Sequence, residues 1–512
     1  MSDVSNLPKN WVQVTIADLG KIVSGGTPST KENSYWGGNI SWISPSDLTR
    51  YSNKCISKGA KSITQEGLKK SSATIMPAGS VHFSSRAPIG YTVISSCDMT
   101  TNQGFKSLVP AQGILNEYIY YYFKSAKQLA ESKATGTTFK EISGTSFSML
   151  PVPLPPTKEQ RRIVAKIEEL FSELDKGIEN LKTGRAQLKV YRQALLKHAF
   201  EGKLTAQWRA ENQHKLEAAD VLQKRIQRER AQRHQQQLAN WEASGRQGSK
   251  PKVPKPLPPL TAEELAELPE LPDGWGWTRL GNTNVDVSDG PFGSNLKSSD
   301  YVDSGVRVIR LENIGALKFI EEKESYITEE KYELLKRHTV TSGDIVFSSF
   351  IIENVRVALV PPSITKAINK ADCFCVRFSG ETLGNVFVVL FLSTRHVYKQ
   401  LESLIHGVGR PRINTTQLKN VVIPVCSDAE QRVIIAEIEA RLSEVDQLEL
   451  TIITSLQQAE ALRQSILKKA FSGQLVPQDP HEEPASVLLA SIRAERAASK
   501  ETAKPSRVKI RL

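Results

Sequence analysis

Apolar residues recur at 4-3 spacing along two long stretches of the chain. The first stripe is Ile163, Ile167, Leu170, Leu174, Leu181, Leu188, Tyr191 and Leu195. The second is Ile434, Ile438, Val445, Leu448, Ile452, Ala459, Leu462 and Ile466, in the same slots. Such spacing is the seam of a coiled coil, so each stretch is expected to be one long helix. Thr157 and Gln160, just after Pro155 and Pro156, have the spacing of a capping box. Gly202 and Gly473 are the expected stops. At 1.5 Å rise per residue, about forty residues make a rod of about 65 Å. A narrow seam on such a rod must be covered. The other copy in the same chain can do this, packed antiparallel about a pseudo-twofold axis. Gly177 and Gly184 fall in seam slots, where they either loosen the helix or make room for larger side chains opposite.

The rest of the chain reads differently. Short β-like runs (SVHFSS, YTVISS, DIVFSS, VRVALV, CFCVRF) alternate with Gly, Pro, Asn and Ser turns. NEYIYYYFKSAKQLAES and GNVFVVLFLSTRHVYKQLESL read as helices. The fold class is therefore α+β: two sheet-rich lobes joined by two long helices in an antiparallel coiled coil. KRIQRERAQRHQQQLANW reads as a basic, solvated helix or one that docks to a partner. Residues 245–272, rich in Pro and Lys, read as a stiff, exposed linker.

The two halves are copies. EQRRIVAKIEELFSELD, from Glu159, returns roughly 271 positions later as EQRVIIAEIEARLSEVD, from Glu430, and about 20 of about 46 aligned positions are identical. LPKNW matches LPDGW, PAGSVHFSS matches TSGDIVFSS, and GTTFKEIS aligns with GVGRPRIN. A period this long marks a duplicated multi-domain unit, not a solenoid. The expected units are a lobe at 1–155, a helix at 156–203, and a basic helix with linker at 204–270. A second lobe at 271–427, a second helix at 428–475 and a basic tail at 476–512 follow.

A formal net charge of +12 points to a polyanionic partner, with nucleic acid the first guess. No apolar run is long enough to span a membrane, no signal peptide is read at MSDVSNLPKN, and five sparse cysteines fit a reducing cytoplasm. Cys373 and Cys375 sit two apart in CFCVRF, so a strand would turn both to one buried face. No phosphate-binding Gly-rich loop, dinucleotide fingerprint, S-adenosylmethionine loop or metal-binding His/Cys cluster occurs. Glu321 and Lys323 form only a loose E-x-K. No catalytic residue and no metal ligand is assigned, and the chain reads as a binding module. Its two divergent lobes would each touch a patch of a long linear ligand. The residues alone leave open a stand-alone bipartite DNA-binding protein or an enzyme without a recognised motif.

The LPxxW openings, GGTPSTKENSYWGGNISWISPSDL, the GDIVFSS strand, PLPPTKEQRRIVAKIEELFSELD, GKLTAQWRAEN and GQLVPQDPHEEPASVLL carry a family resemblance. The chain resembles the specificity subunit of bacterial type I restriction-modification enzymes over nearly its whole length. The resemblance implies two target-recognition domains that read the halves of a bipartite, asymmetric DNA site. It also implies two modification subunits, which methylate adenine with S-adenosylmethionine, and two restriction subunits, which use ATP and Mg. No cofactor would be bound by this chain itself.

Candidate DNA contacts are basic or aromatic residues in turn-rich segments, since Lys and Arg supply phosphate contacts and base-edge donors. In the first lobe they are Lys31, Trp36, Arg86, Lys106 and Lys140; Trp36 could equally be core. In the second they are Lys297, Arg307, Arg310, Arg356, Arg410 and Arg412. The charged outer faces of the long helices are the candidate docking sites for modification subunits. Glu159, Gln160, Arg161, Glu168, Glu173 and Asp175 recur there as Glu430, Gln431, Arg432, Glu439, Glu444 and Asp446. The alternative is plain helix-surface ion pairing.

Overall fold

The two 4-3 stretches are helices of equal length, Thr157–Phe200 and Asp428–Phe471, 44 residues each. They were located in a computed structural model, which describes residues 7–136, 140–380, 382–405 and 411–502. Both helices end as their glycines predict. Lys203 N–H donates to His198 O at 2.9 Å and Gly202 N–H to Ala199 O at 3.0 Å, and Gln474 N–H donates to Lys469 O at 2.9 Å. This is the Schellman pattern, with φ of +67° at Gly202 and +73° at Gly473.

The pairing is antiparallel. Arg185 meets Glu449 at 3.1 Å, and Arg192, two turns further on, meets Asp446, which precedes Glu449, at 2.6 Å. The seam differs from the expected one at three slots. Tyr191, Leu448 and Leu462 are 44 %, 53 % and 51 % exposed. A strict 4-3 count from Ile438 passes through Leu442, Val445, Glu449, Ile452, Leu456, Ala459, Arg463 and Ile466, each at least partly buried. Opposite, it passes through Phe171, Leu174, Ile178, Leu181, Arg185, Leu188, Arg192 and Leu195, all at least partly buried except Arg185. Charged residues can hold seam slots because each meets an opposite charge or a ring. Glu449 also lies 3.8 Å from Arg192. Arg463 pairs with Asp175 and covers the Phe171 ring at 4.6 Å. Gly184 faces Ile452, whose Cδ1 would be 3.8 Å from an added Cβ, whereas Gly177 is exposed and faces open space.

The chain divides into two compact units, 1–182 with 453–512, and 183–452. In the first, a five-stranded sheet is built from Gly20–Ser24, Phe105–Pro110, Val81–Ser84, Thr92–Ser95 and Cys55–Ile56 in that order. A three-stranded sheet of Lys61–Ile63, Trp36–Ile43 and Met99–Thr101 accompanies it. Val12–Thr15 pairs antiparallel with Pro151–Leu154 at the root of the long helix. The core gathers Phe83, Tyr118, Phe123 and Phe147 with Ile163 and Ile167 of one long helix and Ile466 and Ala470 of the other.

The second unit repeats the plan. Gly276–Arg279 pairs with Val422–Val425 at the root of its helix. Val285–Ser288, Cys373–Phe378, Ile345–Ser348 and Val357–Leu359 form the central sheet. Cys373 and Cys375 are buried on one face of their strand, as expected, and Phe374 and Val376 face the opposite core. The accompanying sheet is larger here, with five short strands between Tyr301 and Asn369.

The segments after each helix are largely exposed, as expected, but are anchored to their lobes. The basic helix Ala219–Ala243 buries Leu222 and Ile226. It is held to its lobe by Thr382 donating to Glu229 at 2.5 Å and by the Arg233–Asp286 ion pair. The Pro/Lys stretch is tied down too. Leu257 N–H donates to Asn282 at 2.6 Å, Trp277 Nε1–H to Pro269 O at 3.1 Å, and Arg279 forks onto Glu264 at 2.7 and 2.8 Å. The helix Ala485–Thr502 plays the same part in the first unit. Arg496 donates to Ala17 O at 2.6 Å and Gly20 O at 2.5 Å, and Arg162 pairs with Glu482. The basic end KPSRVKIRL lies outside the described residues.

Candidate nucleic-acid interface

The candidate contacts sort by what their side chains already hold. Lys31, Lys140 and Lys297 are exposed, as phosphate contacts need to be. Arg412 is exposed, pairs with Asp372 at 3.2 Å and covers the Phe350 ring at 5.1 Å. Arg86 is partly exposed and pairs with Glu141 at 3.4 Å. Arg310 is half-exposed, between Ser325 at 3.2 Å and Glu312 at 3.3 Å. Arg410 lies outside the described residues.

Four candidates are framework instead. Arg307 is buried on the strand Val306–Ile309, donating to Glu321 O at 2.7 Å and Lys323 O at 3.0 Å and pairing with Glu324 at 2.9 Å. The loose E-x-K pair thus serves Arg307 through its backbone carbonyls. Arg356 donates to Leu311 O and Ser348 Oγ, both at 3.1 Å. Lys106 is buried on the strand Phe105–Pro110, 3.8 Å from Glu141, and burial lowers its pKa against the pull of that carboxylate. Trp36 packs edge-on against Trp42 at 5.1 Å and donates to Ser29 O at 3.1 Å, which makes it part of a small core. These four sit on strands or beside them, where alternate side chains turn inward.

The largest departure concerns the doublets at the start of each helix. Glu159, Gln160, Glu430 and Gln431 are buried, not on an outer face. Glu430 accepts from Trp275 Nε1–H at 2.8 Å, Thr205 Oγ–H at 2.7 Å, and Arg209 Nε–H and Nη2–H at 2.9 and 2.7 Å. Glu159 accepts from Trp11 Nε1–H at 2.9 Å and Gln478 Nε2–H at 2.6 Å, and burial raises its pKa against those two donors. Gln160 bonds Leu115 N–H and Pro155 O, and Gln431 bonds Gly384 N–H, Thr382 O and Cys426 O. Gln160 therefore makes no capping box; Thr157 Oγ–H goes to Gly113 O at 2.9 Å. In both copies the doublet clamps a helix root to its own lobe and to the returning segment. The Trp of each LPxxW opening is the signal that pairs with it.

The other proposed docking residues divide. Glu168 is drawn to Lys54 at 2.5 Å and Tyr121 at 3.3 Å, and Asp175 and Asp446 pair with Arg463 and Arg192 across the coiled coil. Arg432 pairs with Asp428 of its own helix at 2.8 Å. Arg161, Glu173, Glu439 and Glu444 lie on exposed faces. Among the described residues, no three His, Cys, Asp or Glu side chains are gathered to hold a metal, and no helix is long and apolar enough to cross a membrane.

Two lobes of one plan, each rooted in a long helix, have a counterpart among known proteins. The family model for the type I restriction modification DNA specificity domain matches twice, at residues 8–183 and 294–459, which is more than half of the chain. The chain belongs to this family. The first match runs from the LPxxW opening into the first long helix, and the second begins inside the second lobe and ends within the second long helix. It is 38 % identical over 201 residues to the type I restriction enzyme MjaIX specificity subunit of Methanocaldococcus jannaschii, covering 39 % of this chain and 46 % of that one. The aligned part thus spans about half the length of that relative. The MjaVIII specificity subunit of the same organism is 20 % identical over 482 residues, covering 92 % of this chain and 94 % of its own. A solved structure from work on complex assembly and conformational transition of the type I R-M system shares the fold. It has a TM-score of 0.63 at 18 % identity, covering 91 % of this chain and 99 % of the other.

Proposed function

We propose that this chain is the DNA-recognition subunit of a type I restriction-modification complex. Each specificity domain reads one half of a bipartite, asymmetric site. The paired domain matches carry this reading, and a net charge of +12 supports a polyanionic ligand. Exposed Lys31, Lys140 and Lys297 supply phosphate contacts; Arg86 and Arg412 have the donors that read base edges. The long helices set the gap between half-sites. They dock two modification subunits through exposed positions that recur in both copies, Glu173 with Glu444 above all. Methylation of adenine with S-adenosylmethionine, and ATP- and Mg-dependent cleavage, belong to modification and restriction subunits in the cytoplasm, and this chain binds none of those cofactors.

The test is co-expression with the cognate modification subunit, followed by size-exclusion chromatography with light scattering. The expected result is one complex with two modification subunits per chain, active as an adenine methyltransferase, and no methylation by the purified chain alone. Failure to associate, or methylation by the chain alone, overturns the reading.

A further inference from the structure

The two lobes share one backbone corner on which the side chains have been exchanged. In the first lobe the strand Val81–Ser84 runs into Ser85, whose N–H donates to Gly104 O at 2.7 Å and whose carbonyl accepts from Ile142 N–H at 3.0 Å. In the second, Ile345–Ser348 runs into Ser349, whose N–H donates to Asp372 O at 2.9 Å and whose carbonyl accepts from Ile413 N–H at 3.0 Å. An isolated antiparallel bridge then joins Arg86 to Glu141 in one lobe and Phe350 to Arg412 in the other. The neighbouring registers agree as well: Phe83 is opposite Lys106, and Phe347 is opposite Phe374.

On this common frame Arg86 is replaced by Phe350, Gly104 by Asp372, Lys106 by Phe374 and Glu141 by Arg412. The buried clamps behave in the opposite way, with Glu159 and Gln160 repeated as Glu430 and Gln431. A corner that served only the fold would keep its side chains with its hydrogen bonds, as the clamps do. Here the hydrogen bonds are kept and the charge pattern is rewritten. The exchanged tips are within reach of a ligand, since Arg86 and Glu141 side chains are each 37 % exposed and that of Arg412 is 49 % exposed. Ion pairs this exposed are weak, so a base edge can replace either partner at small cost.

We propose that this corner is the base-reading edge of each lobe, an assignment that rests on the DNA-recognition reading above. Arg86 and Glu141 determine the specificity of the first lobe, and Arg412 with Phe350 that of the second. Arg86 has paired donors for guanine O6 and N7, and Glu141 can accept from a cytosine amino group, so the first corner fits G·C pairs. Lys106 stays behind Glu141 as a positioning charge. Arg412 selects guanine, and the Phe350 ring offers the apolar contact that a thymine methyl takes.

The test uses the full chain with its modification subunit in a methylation-free host and maps N6-methyladenine. The graft R86F/G104D/K106F/E141R moves the second lobe's corner into the first. The expected result is a changed base preference in one half-site, with the other half-site and the gap intact. Because the graft can unfold the lobe, the single variants R412A and E141Q are mapped beside it. R412A should lose guanine discrimination at one position of one half-site by about tenfold or more, and E141Q should relax one position of the other. Unchanged discrimination in both single variants, or a loss spread evenly over all positions, overturns the assignment. A wild-type chain that directs no bipartite motif would instead fail the recognition reading itself.

Discussion

Replacing Glu430 by alanine should loosen the second lobe from its helix root more than any other single change in either clamp. The carboxylate is fully buried and accepts four hydrogen bonds between 2.7 and 2.9 Å, two of them from Arg209. Its removal leaves a largely buried guanidinium, an indole N–H and a hydroxyl without their acceptor. Breaking a buried ion pair from one side costs about 3–5 kcal/mol. Glu159 accepts only from the neutral donors of Trp11 and Gln478 among its hydrogen bonds, so Glu159→Ala should cost about 1–3 kcal/mol. Hydrogen exchange read by mass spectrometry on the complete chain can separate the two. The amides of Trp275, bonded to Pro272 O at 3.0 Å, and Leu280, bonded to Val421 O at 2.8 Å, report on the second root. At 1.4 kcal/mol per factor of ten, Glu430→Ala should speed their exchange through local opening by about a hundredfold to several thousandfold. A change below tenfold, or a larger effect from Glu159→Ala at its own root, would refute the clamp argument.

Other outcomes follow from the same contacts. His82 is buried beside Ser107 at 2.9 Å, and desolvation drops its pKa to about 3. The unfolded chain takes up a proton below pH 6.5 that the folded chain refuses, so stability is complete above that pH and falls by about 1.4 kcal/mol per unit as pH drops toward 3. His82→Val, which installs the residue found at Val346, should flatten that acid limb in urea titrations of the first unit. Gly473→Ala should lower thermal stability by about 1–2 kcal/mol, because the position is left-handed and a Cβ would strike Pro8. Lys31→Ala, Lys140→Ala and Lys297→Ala should each weaken DNA binding uniformly across sequences and lower the salt slope by about one, measured by fluorescence anisotropy. Arg307→Ala should instead lower stability and leave the slope unchanged, since its guanidinium is spent on Glu324 and two carbonyls.

Periodicity and repetition carried most of the architecture. Both helices, their stops, the strands around Val81 and Ile345 and the shared face of Cys373 and Cys375 could all be read from spacing and glycine placement. The seam was misread where the larger apolar side chain, Leu448 or Leu462, sits next to the slot that the strict period assigns to Glu449 or Arg463. A charged seam residue is stable only with its partner in view, and the partner lies on another stretch of chain. The same limit explains the clamps. Repeated charge at Glu159 and Glu430 looked like a shared outer surface, because nothing local shows that Trp11 and Trp275 will close over it. The signal was present as two repeats, LPxxW and EQR, that recur together. Lys106 lies in a turn-rich segment of the sequence, whereas strand pairing turns it inward. The exchange of Arg86 and Glu141 for Phe350 and Arg412 appears only when the bridges superimpose two otherwise divergent segments.

In the proposed function this chain directs a modification activity to a two-part DNA site. The most direct measurement is a genome-wide map of N6-methyladenine in a methylation-free host that carries the modification subunit with and without this chain. One asymmetric motif with a constant gap, present only with the chain, is the expected result. A soluble complex that produces no motif, or a motif that persists without the chain, would contradict it.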